Sequence, residues 1–260
     1  MDKERFLNSI AAVSTDSGIG TLGEKTLHSV IKRYIEPNPE CREVKVVGRI
    51  VADIYNSDGI TEIQTRNYFA LRKKLPKLLE IAHVTVVLPL PATKWVSWID
   101  PKTGDVSKRR KSPKSGRPHD GLYELSKIKD FLSDERLSIL ILMIDMDEYR
   151  NLDGWGNGGK RGSTRNERIP LELVTEYKLA SPEDYRMFVP EGLPSTFTLK
   201  NFEKAIKQSH TRATAALYLL RELGIVSLVG KSGRENLYQL TNFSISPSNT
   251  SIEQNPASAE

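Results

Sequence analysis

The chain has 260 residues, room for one large domain or a large and a small one, and its 38% hydrophobic content can fill a core. Lys and Arg outnumber Asp and Glu by 38 to 33, which suits an anionic partner without choosing between nucleic acid, membrane surface and simple solubility. One cysteine, Cys41, excludes an internal disulfide and a cysteine-rich zinc site, and four scattered histidines argue against a histidine-built one, so any metal is expected to be hard and oxygen-bound, Mg²⁺ or Mn²⁺.

The first 20 residues read as loosely structured, ending in the Ser/Thr/Gly-rich stretch from Ser14 to Gly20. Met1 to Arg5 is polar, the apolar run at Ile10–Val13 is too short for a signal sequence, and Leu137 to Met146 is half a membrane span. A cytoplasmic protein with no membrane partner is the expectation. Thr21 and Glu24 have capping-box spacing before a helix that runs to Tyr34, and Glu36-Pro37-Asn38-Pro39 stops it.

Strands follow near 43–47, 48–55 and 60–66, with the turn residues Asn56-Ser57-Asp58-Gly59 between the last two. With Ser57-Asp58 as the loop, Asp53 lies opposite Glu62; with Asp58-Gly59 as the loop, it lies opposite Gln64. Either even-numbered loop keeps Asp53, Glu62 and Gln64 on one face, because strand side chains alternate with a period of two. Two carboxylates that close repel each other unless a divalent cation lies between them, one is protonated, or both are solvated. Glu24 is a further acidic candidate, with capping as its bland alternative. A helix over 67–80 carries Arg72, Lys73, Lys74 and Lys77, and Val84–Leu88 reads as a strand buried on both faces.

Lys94–Ile99 and Val106–Arg109 flank turn residues and read as a hairpin; Leu122–Leu132 suits a helix and Leu137–Asp145 a core strand. Two basic, glycine-containing stretches interrupt this core. One holds Lys108, Arg109, Arg110 and Lys111; the other, from Gly154 to Arg168, holds Lys160, Arg161 and Arg165. Their functional reading is contact with a phosphate backbone, and their plain reading is a solvated loop.

Pro190-Glu-Gly-Leu-Pro194 reads as a linker. Beyond it lie helices at 198–207 and 210–223, a closing Gly224, and two strands, 225–229 and 235–240, around a basic turn. This segment, 195–241, resembles a winged helix-turn-helix. The resemblance implies that His210, Thr211, Arg212 and Thr214 begin a recognition helix and that Lys231 and Arg234 sit on the wing. Residues 242–260 are Ser/Asn/Pro-rich and read as a disordered tail.

The hairpin around Asp53 and Glu62-Ile63-Gln64, with the helices and strand on either side of it, resembles the core of the PD-(D/E)XK nuclease superfamily. That family's restriction-endonuclease-like α/β (α+β) fold, a mixed central sheet flanked by helices, is expected over 21–190. The resemblance implies Asp53 and Glu62 as catalytic carboxylates and metal ligands, the Ile63 carbonyl as a backbone ligand, and Glu24 as the match to an acidic residue on the first helix. Ala52 replaces the family's proline, and Gln64 replaces its lysine. A lysine supplies positive charge to the attacking water and phosphate, whereas Gln only hydrogen-bonds. Arg66 or Lys73 is the expected substitute.

Three functions follow: a metal-dependent DNA endonuclease, a non-catalytic DNA-binding regulator on a degenerate nuclease fold, and a protein-interaction module, with a homodimer left open. The carboxylate pair favours the enzyme; the missing lysine favours the regulator.

Overall fold

The computed structural model describes residues 1–16, 26–65, 67–155 and 161–241. In chain order the elements are α1 (Lys3–Asp16), α2 (Thr26–Ile35), β1 (Arg42–Val47), β2 (Ile50–Asn56), β3 (Gly59–Ile63), α3 (Tyr68–Leu79), β4 (Val84–Ile99), β5 (Arg110–Lys111), α4 (Leu122–Leu125) and β6 (Leu137–Trp155). They continue with β7 (Arg161–Leu179), β8 (Thr196–Thr198), α5 (Leu199–Ile206), α6 (His210–Glu222), β9 (Val226–Ser232) and β10 (Glu235–Leu240). The architecture is mixed α+β: a large mixed sheet between helices, with a second small sheet in the order β8-β10-β9.

The large sheet runs β1-β2-β3-β4-β6-β7. β3, β4 and β6 are parallel neighbours, and the outer pairs are antiparallel. Parallel neighbours need a crossover, which α3 supplies between β3 and β4 and the α4 region between β4 and β6. Helices α1 and α2 cover one face, where Phe6, Val30 and Ile31 meet Ile63, Val87, Leu142 and Ile144. The other face packs α3 and α4, through Leu71, Leu75, Leu78, Leu122 and Leu125, on Val86, Ile139 and Ile141. Val86 and Val87 are both fully buried, which is why 84–88 carries an unbroken apolar run.

Three expectations change. The N-terminal segment is not loose: α1 buries Phe6 completely and Val13 nearly so against α2 and the sheet. Phe6, Ile10 and Val13 stand at the helical spacing i, i+4, i+7, and the facing elements give that stripe something to cover. The strand expected at 137–145 continues to Trp155, and the stretch read as a glycine-rich loop from Gly154 is mostly β7, paired in register from Trp155↔Arg161 to Ile139↔Leu179. Lastly, the C-terminal segment shares its core with the large sheet. Phe197, Phe202, Leu217, Leu220 and Tyr238 belong to the same apolar cluster as Leu122, Ile128 and Phe188, and α6 packs on α4 and the 3-10 turn Ser126–Phe131. Arg117 also donates to the Ile206 carbonyl, and Gln208 to Asp120 at 2.5 Å.

No helix among the described residues is long and apolar enough to cross a membrane.

Candidate active site at the split hairpin

The β2–β3 turn is Ser57-Asp58: Asn56 pairs with Gly59, Tyr55 with Ile60 and Ile54 with Thr61. Continued by one rung, this register sets Asp53 opposite Glu62. Gly59 is required here, since its φ is +114° and a Cβ would lie 2.3 Å from the His83 carbonyl oxygen. That approach is close because the same oxygen accepts the Ile60 N–H at 2.8 Å, the bond that starts the β3–β4 ladder.

At Asp53 the side chain replaces the backbone rung. Asp53 Oδ2 accepts the Ile63 amide N–H at 2.7 Å and lies 3.2 Å from His28 Nε2 on α2. Both bonds use Oδ2, so neither draws on Oδ1. Glu62 is held from α3. Lys74 Nζ donates to both of its carboxylate oxygens at 2.7 Å and to the Val51 carbonyl at 2.6 Å. The pair therefore lies where β2 and β3 part, with α2 approaching one carboxylate and α3 the other.

The two acids are shifted in opposite directions. Burial alone would raise Asp53, but the His28 bond and charge, the Ile63 N–H and the Lys32 ammonium outweigh it and hold the carboxyl below its usual range. Glu62, only 4% exposed, is pushed up by burial and then by the negative charge of Asp53, against the pull of Lys74. A group between them that cancelled negative charge would relieve that repulsion. Oxygen donors of this kind fit Mg²⁺ or Mn²⁺. Among the described residues no three His, Cys, Asp or Glu side chains gather as a ready metal cluster, so two carboxylates and backbone or water oxygens would have to suffice.

Other sequence candidates fall as follows. Glu24, Arg66 and Lys160 lie outside the described residues, as do the side chain of Arg161, the Thr21 cap and the tail from 242. Lys73 is exposed; its neighbour Lys74 is the one that reaches the site. Gln64 has its backbone fixed by Val87 O at 2.8 Å and the Tyr68 hydroxyl at 3.1 Å. Lys108 and Arg110 are exposed near or on β5, while Arg109 lies 4.3 Å over the Trp95 ring and donates to Asp147 at 2.6 Å; Lys111 flanks the same ring. Arg165 lies 3.4 Å from Glu148.

In the small module His210 pairs with Glu203 at 3.0 Å, Thr211 is exposed, and the Thr214 hydroxyl caps the His210 carbonyl. Lys231 and Arg234 stand exposed at the β9–β10 turn. Arg212 turns to the large sheet's side, 5.5 Å over the Tyr123 ring and toward the Asp120 carbonyl.

Sequence reasoning missed His28, Lys32, Glu43 and Lys74. Glu43 lies opposite Asp53 on β1 by register, holds the almost fully buried Lys32, and has a φ of +56°. A side-chain-bearing residue in that conformation is strained, and such strain gathers at functional sites. The basic spacing of α3 could have flagged Lys74, since positions 71, 74, 75 and 78 share a helix face with the buried leucines.

A family model described as "Domain of unknown function (DUF8091)" matches residues 25–180, from the start of α2 to the end of β7. An uncharacterized protein of Treponema pallidum (strain Nichols) is 29% identical over 222 residues, covering 85% of this chain and 87% of that protein. No solved structure matches significantly.

Proposed function

The chain belongs to the DUF8091 domain family, and from the geometry of that domain we propose that it is a metal-dependent DNA endonuclease of PD-(D/E)XK type acting in the cytoplasm. The observation that carries the reading is the Asp53–Glu62 pair at the split hairpin with Lys74 seated on Glu62. The family's lysine is missing from position 64, yet an ammonium occupies the space beside the second carboxylate, delivered from α3.

Asp53 and Glu62 would hold Mg²⁺ or Mn²⁺, with the Ile63 carbonyl as a backbone ligand by family analogy. The bound ion supplies Lewis acidity at the phosphate and a more acidic water. His28 and the Ile63 N–H keep Asp53 ionised and fix its orientation. Lys74, released from Glu62 when that charge is shared, offers a positive donor for the oxygen that gains charge as the phosphodiester is attacked. Gln64 can hydrogen-bond the attacking water, not activate it. Positive charge on the strand extension beyond the site (Lys108, Arg109, Arg110, Lys111) suits the DNA backbone. β5 takes the edge of β4 that β3 occupies lower down, eight residues or about 25 Å further along the strand. The small module, with Thr211, Lys231 and Arg234 exposed, suits a second grip on the duplex.

One observation favours the regulator reading: Lys74 takes both oxygens of Glu62 and leaves a self-neutralised pair. Incubating the purified chain with plasmid and branched DNA separates the two. The enzyme nicks or cuts with Mg²⁺ or Mn²⁺ and not with EDTA; binding without cleavage under every metal supports the regulator.

A further inference from the structure

The apolar face of α3 is turned to the core through Leu71, Leu75 and Leu78, yet Phe69, on the first turn of the same helix, is 62% exposed. It follows directly on Tyr68, whose hydroxyl donates to the Gln64 carbonyl just past the end of β3, the strand that carries Glu62. Lys74, the residue seated on Glu62, is five positions on, about 7.5 Å along the helix. An exposed aromatic ring therefore stands on the helix that serves the carboxylate site.

The ring is the first member of a chain of contacts. Lys127 Nζ lies 5.8 Å from the centre of the Phe69 ring and 4.8 Å from that of Tyr123, and the Arg212 guanidinium lies 5.5 Å from the Tyr123 ring. Ring, ammonium, ring and guanidinium thus lead from α3 to the first turn of α6. Lys127 is also paired with Glu124, so its charge is not surplus; the pairing fixes the ammonium between two rings. The chemistry of this line says what covers it. A protein partner is met by contiguous apolar surface poor in lysine, and here cations separate the rings. A nucleic-acid strand repeats the same alternation, a flat apolar base and then an anionic phosphate. In a duplex the base faces are hidden in the stack, so a ring reaches one only where the strand is unpaired.

We propose that Phe69 and Tyr123, with Lys127 and Arg212 beside them, form a stacking platform for unpaired bases, so that the substrate is DNA with a single-stranded segment next to its duplex and not a perfect duplex. The platform rests on the nucleic-acid reading above and deepens it by naming the substrate class. Phe69 supplies the open ring nearest the carboxylate site, and Tyr123 continues the line toward the exposed start of α6.

The test is equilibrium binding of the full chain, in EDTA, to three fluorescein-labelled DNAs: a blunt 20-base-pair duplex, the same duplex with a ten-thymine tail, and the same duplex with a ten-residue abasic tail, which keeps the phosphates and removes the bases. Wild-type protein should bind the thymine tail about tenfold more tightly than the abasic one. Phe69→Ala should erase most of that difference while leaving blunt and abasic binding within about twofold. Phe69→Leu, which keeps apolar bulk without the ring, should lose nearly as much, and Phe69→Trp should keep the preference. No preference for bases in the wild type, or a preference that survives Phe69→Ala, overturns the platform and leaves the phosphate-binding nuclease standing. Equal loss on all three DNAs also overturns it and marks Phe69 as structural. Failure to bind any of them removes the nucleic-acid reading and the platform together. Cleavage is not read in EDTA, so a tail-preferring, Phe69-dependent binder that cleaves nothing with Mg²⁺ supports the platform and removes the enzyme.

Discussion

Two acids of this chain live under opposite pressures, and each gives a measurable consequence. Burial would raise Glu148, but Lys94, Arg168, Arg150 and Arg165 pull its carboxyl down from 4.5 to about 2. A depressed carboxyl stabilises the fold above its unfolded value and loses that stabilisation as pH falls through its folded one. Wild-type protein should therefore lose about 3 kcal/mol between pH 5 and 2 through this group, since each tenfold change in proton affinity between the folded and unfolded chain is worth about 1.36 kcal/mol. Urea unfolding at stepped pH checks it: Glu148→Gln, weaker at pH 7, should lack that share of the acid slope, and parallel slopes would contradict it. Glu62 is the reverse case, a buried acid pushed up and steadied by Lys74. Lys74→Met should cost about 3 kcal/mol, because it strands a buried charge, whereas adding Glu62→Gln should recover most of that. Additive losses in the double variant would show that the pair does not couple.

At the scale of elements, the hairpin depends on Gly59. Gly59→Ala forces a Cβ at positive φ against the His83 backbone, so destabilisation of about 2 kcal/mol or more is expected by chemical denaturation, and a neutral result would mean that the β3–β4 ladder starts more loosely than this contact requires. This hairpin is also where the sequence was most legible. A two-residue turn and a period of two place Asp53 across from Glu62 with no knowledge of anything else. His28 and Lys74 were less legible, since they reach the pair from two separate helices: the face that Lys74 shares with Leu71, Leu75 and Leu78 says that it turns inward, not that Glu62 meets it. The β6–β7 extension was missed for a different reason. Its residues beyond Met146 are solvated or charged, so the apolar alternation that marks a strand is absent. Nothing local marks Glu148, and only the pairing of β4, β6 and β7 collects its four cations.

For the whole molecule, the linker at Pro190–Pro194 suggests two separable parts, but the apolar cluster is continuous across it. Ending the chain at Leu193 would strip α6 from Leu122, Leu125 and Ile128, exposing apolar area worth about 3–5 kcal/mol. The full chain should melt in one transition and the shortened one well below it. Two transitions, or equal midpoints, would show independent folding. The central claim, that Asp53 and Glu62 form a phosphodiesterase site, is tested most directly by Asp53→Asn, which keeps size and hydrogen bonding while removing one charge and a strong metal ligand. Measured side by side on plasmid DNA with Mg²⁺ and on labelled duplex in EDTA, cleavage should fall by several orders of magnitude while metal-free binding stays equal or tightens. Full cleavage by Asp53→Asn, from a preparation free of contaminating nuclease, would contradict the account.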